Sequence, residues 1–398
     1  MMVSIAQHNP VRRLLGRPLR LGVVGGGSGS FIGPVHRSAA VLDQRFELVA
    51  GVLSSRVERA AEQGAAAGLA ADRSYGSLAQ MLSGEAERAD GIEAVAVMTP
   101  NDRHFPDCSA ALDAGLPVLC DKPMALSVDQ ARALAAQVRR TQQVFCVSFN
   151  YSGYAMVRQA RAMVADGVLG PLRIVLAEYF QGGMAAAVER EVLTDKLRWK
   201  LDAARSGPSL VMGDIGSHAH HLASFVAGAR VERVAADIGA VVPQRKVDDY
   251  AALLWRFDNG ARGSCVVSQA AAGAENNLVL RVFGERGMLD WQHRECNYLR
   301  HAPLGEAVRM LGRGDAKLHP AAQRVTRIAR GHPEGFREAF ATLYADFAEA
   351  ICGRRGADVD PLAGDYPGVE AGLHSALFID AALRSSRAGG GWTDCEQA

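Results

Sequence analysis

Between residues 19 and 150, five short β-rich runs alternate with segments whose apolar residues return every three or four positions. The runs are "LRLGVVG", "FELVAGVLS", "AVAVMTP", "PVLCDKP" and "VFCVSFN". The segments between them, such as "GPVHRSAAVLD", "SRVERAAEQGAAAGL" and "SVDQARALAAQVRRT", carry helical periodicity. Strands joined by crossover helices lie parallel, so the alternation predicts a doubly wound α/β domain. After residue 150 the rhythm changes. One long helix, "GYAMVRQARAMVADG", is followed by strands joined through turns: "YAALLWRF" and "ARGSCVVSQ" flank Asp258-Asn259-Gly260, and "NLVLRVFG" and "GMLDW" flank Glu285-Arg286. That pattern predicts an α+β domain on a large, mostly antiparallel sheet. The helices "EGFREAFATLYADFAEAIC" and "GVEAGLHSALFIDAALRSS" close it. The expected division is an N-terminal arm at 1–18, the α/β domain at 19–150, a second domain at 151–388 and a loose tail at 389–398.

Composition narrows the partners. The 398 residues hold 44 basic against 43 acidic side chains, and no basic stripe follows a phosphate backbone, so nucleic acid is not expected. Seven scattered cysteines without a C-x-x-C pair suggest neither a disulfide framework nor a zinc knuckle and fit a reducing cytoplasm. No stretch approaches the roughly 20 apolar residues that cross a bilayer.

Three stretches carry chemistry. In "GGGSGSFIG", behind the first strand, treating Ser28, Gly29 and Ser30 as an insertion restores a nucleotide-loop pattern: Gly25 and Gly27, then Phe31, Ile32 and Gly33 leading into a helix. Amide groups at that helix start would face a pyrophosphate; the alternative is a serine-glycine turn with no ligand. After the second strand, Ser54, Ser55 and Arg56 stand where an acidic residue would bind a ribose hydroxyl, which suits a 2′-phosphate, or else Arg56 is solvated. The second stretch comprises strand ends where α/β sheets place ligands: Thr99, Pro100, Asn101 and His104 in "MTPNDRH", and Asp121 and Lys122 in "CDKP". Lys122 can hydrogen-bond a substrate hydroxyl, or is a surface lysine in a turn. In the third, "GDIGSHAHH", a helix starting near Asp214 puts His218 on the same face, with His221 one step further. A carboxylate beside an imidazole is a general-base arrangement. A capping Asp is the alternative, and a metal cluster is disfavoured because His218 and His220 point to different faces.

In this order the motifs resemble the Gfo/Idh/MocA family, the glucose-fructose oxidoreductase, inositol dehydrogenase and rhizopine-catabolism group. The glycine loop with "GPVHR", "TPN", "CDKP" for Glu-Lys-Pro, "GDIGSHAHH" for Asp-x-Gly-x-His-x-x-Asp, "FGERGMLDW" and "EAFATLYADFAEAI" span nearly the whole chain. The resemblance implies a Rossmann domain followed by an open-sheet domain that often serves subunit association, hence a homo-oligomer, dimer or tetramer. It implies NAD or NADP as cofactor and redox chemistry on a carbohydrate or polyol. Lys122, Asp214 and His218 match the family's functional positions, while Asn150 and Tyr151 fall where the family commonly lines its substrate site. The expected reaction is oxidation of a secondary hydroxyl of a sugar, glycoside, anhydrosugar or cyclitol. His218 would take the proton, Lys122 would bond the developing alkoxide, and Asp214 would orient His218 or hold a sugar hydroxyl.

The sequence departs from the family pattern in its longer glycine loop, in Asp121 for Glu and in His221 for the final Asp, which alters substrate contacts. The loop, "GDIGSHAHHLASF" and "GHPEGF" resemble a levoglucosan dehydrogenase-like or 3-keto-sugar-forming subgroup. Rival readings are a bound-cofactor oxidoreductase or nucleotide-assisted glycosidase, and a regulator that binds nucleotide and sugar without turnover.

Overall fold

In the computed structural model the described residues are 9–54, 56–187, 189 and 195–395. They form two compact units. The first draws on Met1–Ala125, Asp129–Gly153 and Phe336–Gly372, the second on Leu126–Val128, Tyr154–Gly335 and Leu373–Ala398.

The first unit opens with helix α1 (Pro10–Leu15), within the expected N-terminal arm, whose residues 1–8 lie outside the described residues. Asn9 Oδ1 caps it by accepting from Arg12 N at 3.1 Å, Gly16 closes it at φ 69°, and Val11 is fully buried. Then follow β1 (Leu19–Gly25), α2 (Ile32–Leu42), β2 (Phe46–Val52), α3 (Ala60–Ala66), α4 (Leu78–Ala86), β3 (Ala94–Met98), α5 (Asn101–Asp113), β4 (Val118–Cys120), α6 (Val128–Thr141) and β5 (Phe145–Val147). The five strands are parallel in the order β2-β1-β3-β4-β5, and an isolated parallel bridge from Gly51 to Ser74 adds one rung beyond β2. β3, β4 and β5 are buried at every residue, as expected of parallel strands covered on both faces. The strand order reverses between β1 and β3, which puts the ligand crevice of such a sheet at their carboxyl ends.

In the second unit, α7 (Ala155–Ala165) and β6 (Leu172–Gln181) precede α8 (Asp195–Lys200), α9 (Ala203–Ser206) and a wide π-turn, Met212–Gly216, that runs into α10 (Ser217–Ala227). The strands are β7 (Val231–Gly239), β8 (Tyr250–Phe257), β9 (Arg262–Ser268), β10 (Asn276–Gly284), β11 (Gly287–Gln292), β12 (Tyr298–Pro303) and β13 (Arg309–Gly312), and α11 (Pro320–Arg324) follows. Both expected hairpins form: Arg256 pairs with Arg262 around Asp258-Asn259-Gly260, and Gly284 with Gly287 around Glu285-Arg286. The sheet order is β13-β12-β11-β10-β6-β9-β8-β7 and then β14 (Thr393–Asp394). Every pairing is antiparallel except β6 with β9. α10 packs on β6, β9 and β10, so Val175, Ala177 and Tyr179 of β6 are buried while Ile174 stays 45% exposed.

Two segments depart from the expected division. Helix α12 (Phe336–Arg354), expected in the second domain, packs on α2 and on the turn Asn150–Gly153 of the first unit. Its Phe340, Leu343, Tyr344 and Phe347 join Leu21, Ala39, Ala40 and Phe46 in one core, which is where its apolar stripe finds cover. After α13 (Val369–Arg387), the described part of the expected tail, 389–395, is pinned rather than loose, and 396–398 lie outside the described residues. β14 pairs with β7, and Ser385 Oγ accepts from Ala236 N at 2.9 Å while donating to Gly391 O at 2.6 Å.

α12 also brings a buried charge: Glu349 Oε1 meets Arg45 Nη2 at 3.0 Å, both side chains 1% exposed. Removing one partner takes a buried counter-charge from the other, so Arg45→Met should lose about 3–5 kcal/mol of stability in urea unfolding. Arg45→Met/Glu349→Leu should recover most of it; an equal loss in the double variant would contradict this account.

Candidate functional site

The glycine loop leaves β1 through Gly25, at φ 81°, and the inserted residues close a turn of their own, with Ser30 N donating to Gly27 O at 3.1 Å and Gly29 at φ 81° inside it. Ser28 and Gly29 are exposed, and no heavy atom lies within 4 Å of where a Cβ on Gly29 would stand. Behind this lip the packing is tight. A Cβ on Gly33 would sit 1.9 Å from Gly26 O, so α2 presses directly on the loop. A Cβ on Gly27 would sit 1.9 Å from Leu53 O, so this glycine is also needed to pass the end of β2, beyond the reason the sequence suggested. Ser28 N donates to Gln63 Oε1 at 2.6 Å, Ser30 Oγ accepts from Gly33 N at 3.1 Å, and Arg37 Nη1 reaches Gly26 O at 2.5 Å. Phe31, 63% exposed with its ring 6.2 Å from that of Phe336, precedes Ile32 at the start of α2. An open turn over a helix N-terminus fits a pyrophosphate. At the end of β2, Ser54 Oγ accepts from Arg56 N at 3.0 Å and Arg56 is exposed; Ser55 lies outside the described residues.

At the ends of β3 and β4 the structure turns several expected ligand contacts inward. Pro100 precedes α5, Asn101 is its first residue, and Thr99 Oγ1 donates to Asp107 Oδ2 at 3.1 Å. His104 is 1% exposed, its Nδ1 2.7 Å from Pro123 O and its Nε2 2.9 Å from Thr99 O. Asp121 Oδ1 accepts from Lys122 N at 2.9 Å and from the Ser148 hydroxyl, and His36 Nε2 stands 3.8 Å away. His36 Nδ1 lies 2.8 Å from Tyr344 Oη on α12. Burial would push the Asp121 carboxyl up, but His36, Lys122 and His104 outweigh it and hold the carboxyl well below the ordinary range. Tyr151 is buried, and Asn150 is 1% exposed with no hydrogen-bond partner for either side-chain amide atom among the described residues. An amide orphaned in this way usually costs about 1–3 kcal/mol, and a bound hydroxyl or water would relieve that.

In the second unit, Ser217 N reaches back to Met212 O, so the π-turn widens the helix where Asp214 sits. Asp214 Oδ2 accepts from Lys200 Nζ at 2.5 Å and Gln269 Nε2 at 2.8 Å. Because a carboxylate only accepts, Gln269 must present its NH₂, which also lies 3.2 Å from Gln181 Oε1. Gln181 must then donate onward, 2.6 Å to Asn276 Oδ1, where Tyr179 Oη also donates at 2.9 Å. One charge thus orients a row of amides across β6 and β10. The Tyr179 ring centroid lies 6.5 Å from that of His218. His221 is stacked on Phe225 at 5.7 Å, and burial, aided by nearby Arg161, lowers its pKa to about 3. This expected substrate contact is therefore a neutral imidazole in a buried stack. His220 stacks on Phe378 at 4.2 Å. Among the described residues no group of three His, Cys, Asp or Glu side chains is placed to hold a metal.

Sequence reasoning missed Lys200, Gln181, Gln269, Asn276 and His36. Part of the signal was present: Gln181 falls two residues after Tyr179, on the face of β6 that alternation assigns to the covered side.

The family profile described as "Oxidoreductase family, NAD-binding Rossmann fold" matches residues 19–149, and the one described as "GFO/IDH/MocA C-terminal domain" matches residues 157–290. The chain is 32% identical to the uncharacterized oxidoreductase YfiI of Bacillus subtilis, over 96% of this chain and 98% of that one. It is 26% identical to levoglucosan dehydrogenase of Pseudarthrobacter phenanthrenivorans over 77% of this chain and 80% of that enzyme. The crystal structure of an inositol dehydrogenase homolog from Azotobacter vinelandii complexed with NAD+ superposes with a TM-score of 0.90 at 36% identity, covering 97% of this chain and 100% of that one. The structure of the homolog complexed with NADH and myo-inositol gives 0.88 at the same identity, with the same coverage.

Replacing Gly33 by Val places atoms on the Gly26 carbonyl, and the loop must shift. NADH affinity, followed by nicotinamide fluorescence, should fall at least about tenfold, roughly 1.4 kcal/mol, with the far-UV spectrum retained; undiminished affinity would remove the loop from the nucleotide site.

Proposed function

The chain belongs to the Gfo/Idh/MocA oxidoreductase family, with an NAD-binding Rossmann domain, and on that premise we propose that it oxidises a secondary hydroxyl of a cyclitol, sugar or anhydrosugar with NAD. The observation that carries the substrate class is the row of oriented amides running from Asp214 through Gln269 and Gln181 to Asn276, with the Tyr179 hydroxyl beside it. Side chains with alternating donors and acceptors suit vicinal hydroxyls, which both donate and accept. The relatives named for levoglucosan and inositol support the same class.

The Gly25–Gly33 loop and the start of α2 would hold the pyrophosphate. Bound nicotinamide supplies the hydride acceptor. Lys122 donates from its ammonium to the substrate oxygen and stabilises negative charge as it develops there. His218 takes the hydroxyl proton on its imidazole. Asp214, paired with Lys200, accepts from a substrate hydroxyl as well as from Gln269. A second cofactor reading, NADP, is favoured by Ser54 and exposed Arg56 at the end of β2, which suit a 2′-phosphate. Two further parts of the proposal rest on separate observations. Free cysteines at all seven positions support a cytoplasmic location, and exposed Ile174 and Leu254 on the open sheet support a homo-oligomer. Among the described residues no helix is long and apolar enough to cross a membrane.

The test is production of reduced nicotinamide from NAD and from NADP over a panel including myo-inositol and levoglucosan. Turnover with a polyol is expected, and its absence throughout the panel overturns the reading. Lys122→Ala and His218→Gln should each lower kcat about 10²–10⁴-fold and leave NADH affinity intact, the range for a lost proton-transfer group. Unchanged kcat in either variant removes that residue from the chemistry.

A further inference from the structure

We propose that His104 is a buried imidazolium that positions Lys122, donating from both ring nitrogens to the two loops at the ends of β3 and β4. Nδ1 lies 2.7 Å from the carbonyl oxygen of Pro123, the residue after Lys122, and Nε2 lies 2.9 Å from that of Thr99. A carbonyl oxygen only accepts. A neutral imidazole has one N–H and one lone pair, so either tautomer would set a lone pair against a carbonyl oxygen inside a side chain only 1% exposed. The cation alone satisfies both contacts.

The surroundings favour that charge. Burial by itself lowers the His104 pKa; Cys120 where it is ionised, the Asp121 carboxylate and the Pro123 carbonyl raise it above its ordinary value. Burial pushes the Cys120 thiol well above its ordinary range, so at neutral pH Asp121 supplies the compensating charge. His36 and Lys122 act on the same carboxylate, and on the histidine's own helix Arg103 and Asp107 pair with each other at 2.7 Å.

The clamp has a mechanical consequence. Lys122 sits between Asp121, whose side chain accepts its backbone N–H, and Pro123, whose carbonyl is tied to β3 through His104. Without the second tie the segment loses one of its anchors, and a misplacement of about 1 Å at a reacting group can cost about 10²-fold in rate. The sequence places His104 among the ligand-bearing strand ends; both of its nitrogens face backbone carbonyls instead.

The kinetic consequence rests on the proposed dehydrogenase activity, whereas the protonation state does not. In the full chain labelled with ¹⁵N at its 11 histidines, one imidazole should remain doubly protonated at about pH 8, well above the ordinary pKa of about 6.5. That resonance should vanish in His104→Gln. If every histidine has lost its second proton by about pH 8, the proposal is overturned, whether or not the variant folds. Stability gives a second readout. A raised native pKa stabilises fully below the unfolded value of about 6.5 and ceases to do so as pH rises through the raised native value. The Tm gap between wild type and His104→Gln should therefore be widest at and below about pH 6.5 and narrow as pH rises through the raised native value; a gap that does not change with pH also overturns the proposal. In turnover, His104→Gln should lower kcat while the KM for NAD is kept, and undiminished kcat removes the positioning role. A wild type without turnover overturns the proposed function, and the NMR and Tm arms still decide the charge state.

Discussion

The first unit depends on keeping one carboxylate ionised inside it. Asp121 is largely enclosed at the end of β4, and an isolated charge there would cost several kcal/mol. Its stabilising partners come from separate segments: the Lys122 N–H beside it, the Ser148 hydroxyl after β5 and the His36 ring on α2. His36 in turn meets Tyr344 on α12. Four elements distant in sequence are thereby registered around one charge, which also gives α12 a polar reason, beside its apolar stripe, to return to the first unit.

The second unit uses a carboxylate differently. Asp214 is partly open, carries Lys200 as its counter-charge, and passes direction to neutral amides rather than gathering backbone. An amide beside a carboxylate has only one acceptable orientation, and each amide dictates the next. The residues doing this lie on α8, on β6, just past β9 and on β10. Sheet register puts Gln181 opposite Asn276.

Much of the fold could be read locally. Parallel strands covered on both faces are apolar throughout, and hairpins announce themselves through Asp258-Asn259-Gly260 and Glu285-Arg286, because these signals depend on neighbours a few residues apart. The order of the glycine loop, Lys122, Asp214 and His218 was likewise legible. The direction of side chains was not. His104, Asp121 and His221 looked like ligand contacts because they stand in ligand-bearing motifs, yet the structure gives them to backbone carbonyls, to His36 and Lys122 N–H, and to the Phe225 ring. The partners that decide His104 and Asp121, Pro123 and His36, lie well beyond the few residues a local reading covers.

The supposed flexible ends make the same point at larger scale. "PVRRLL" and "RAGGGW" lack strong periodicity, so local reasoning leaves them loose, but Val11 is buried and β14 pairs with β7. From its own residues the sequence determined which segments become strands or helices, where the chain must turn and which residue types can move a proton or cradle a phosphate, since these follow from periodicity, glycine and side-chain chemistry. Only the tertiary structure decided which unit α12 joins, which carboxylate meets which cation, and whether His104 faces a ligand or two carbonyls. Such choices are made by desolvation among groups far apart in the chain, where a buried charge or amide accepts only the partner the fold delivers.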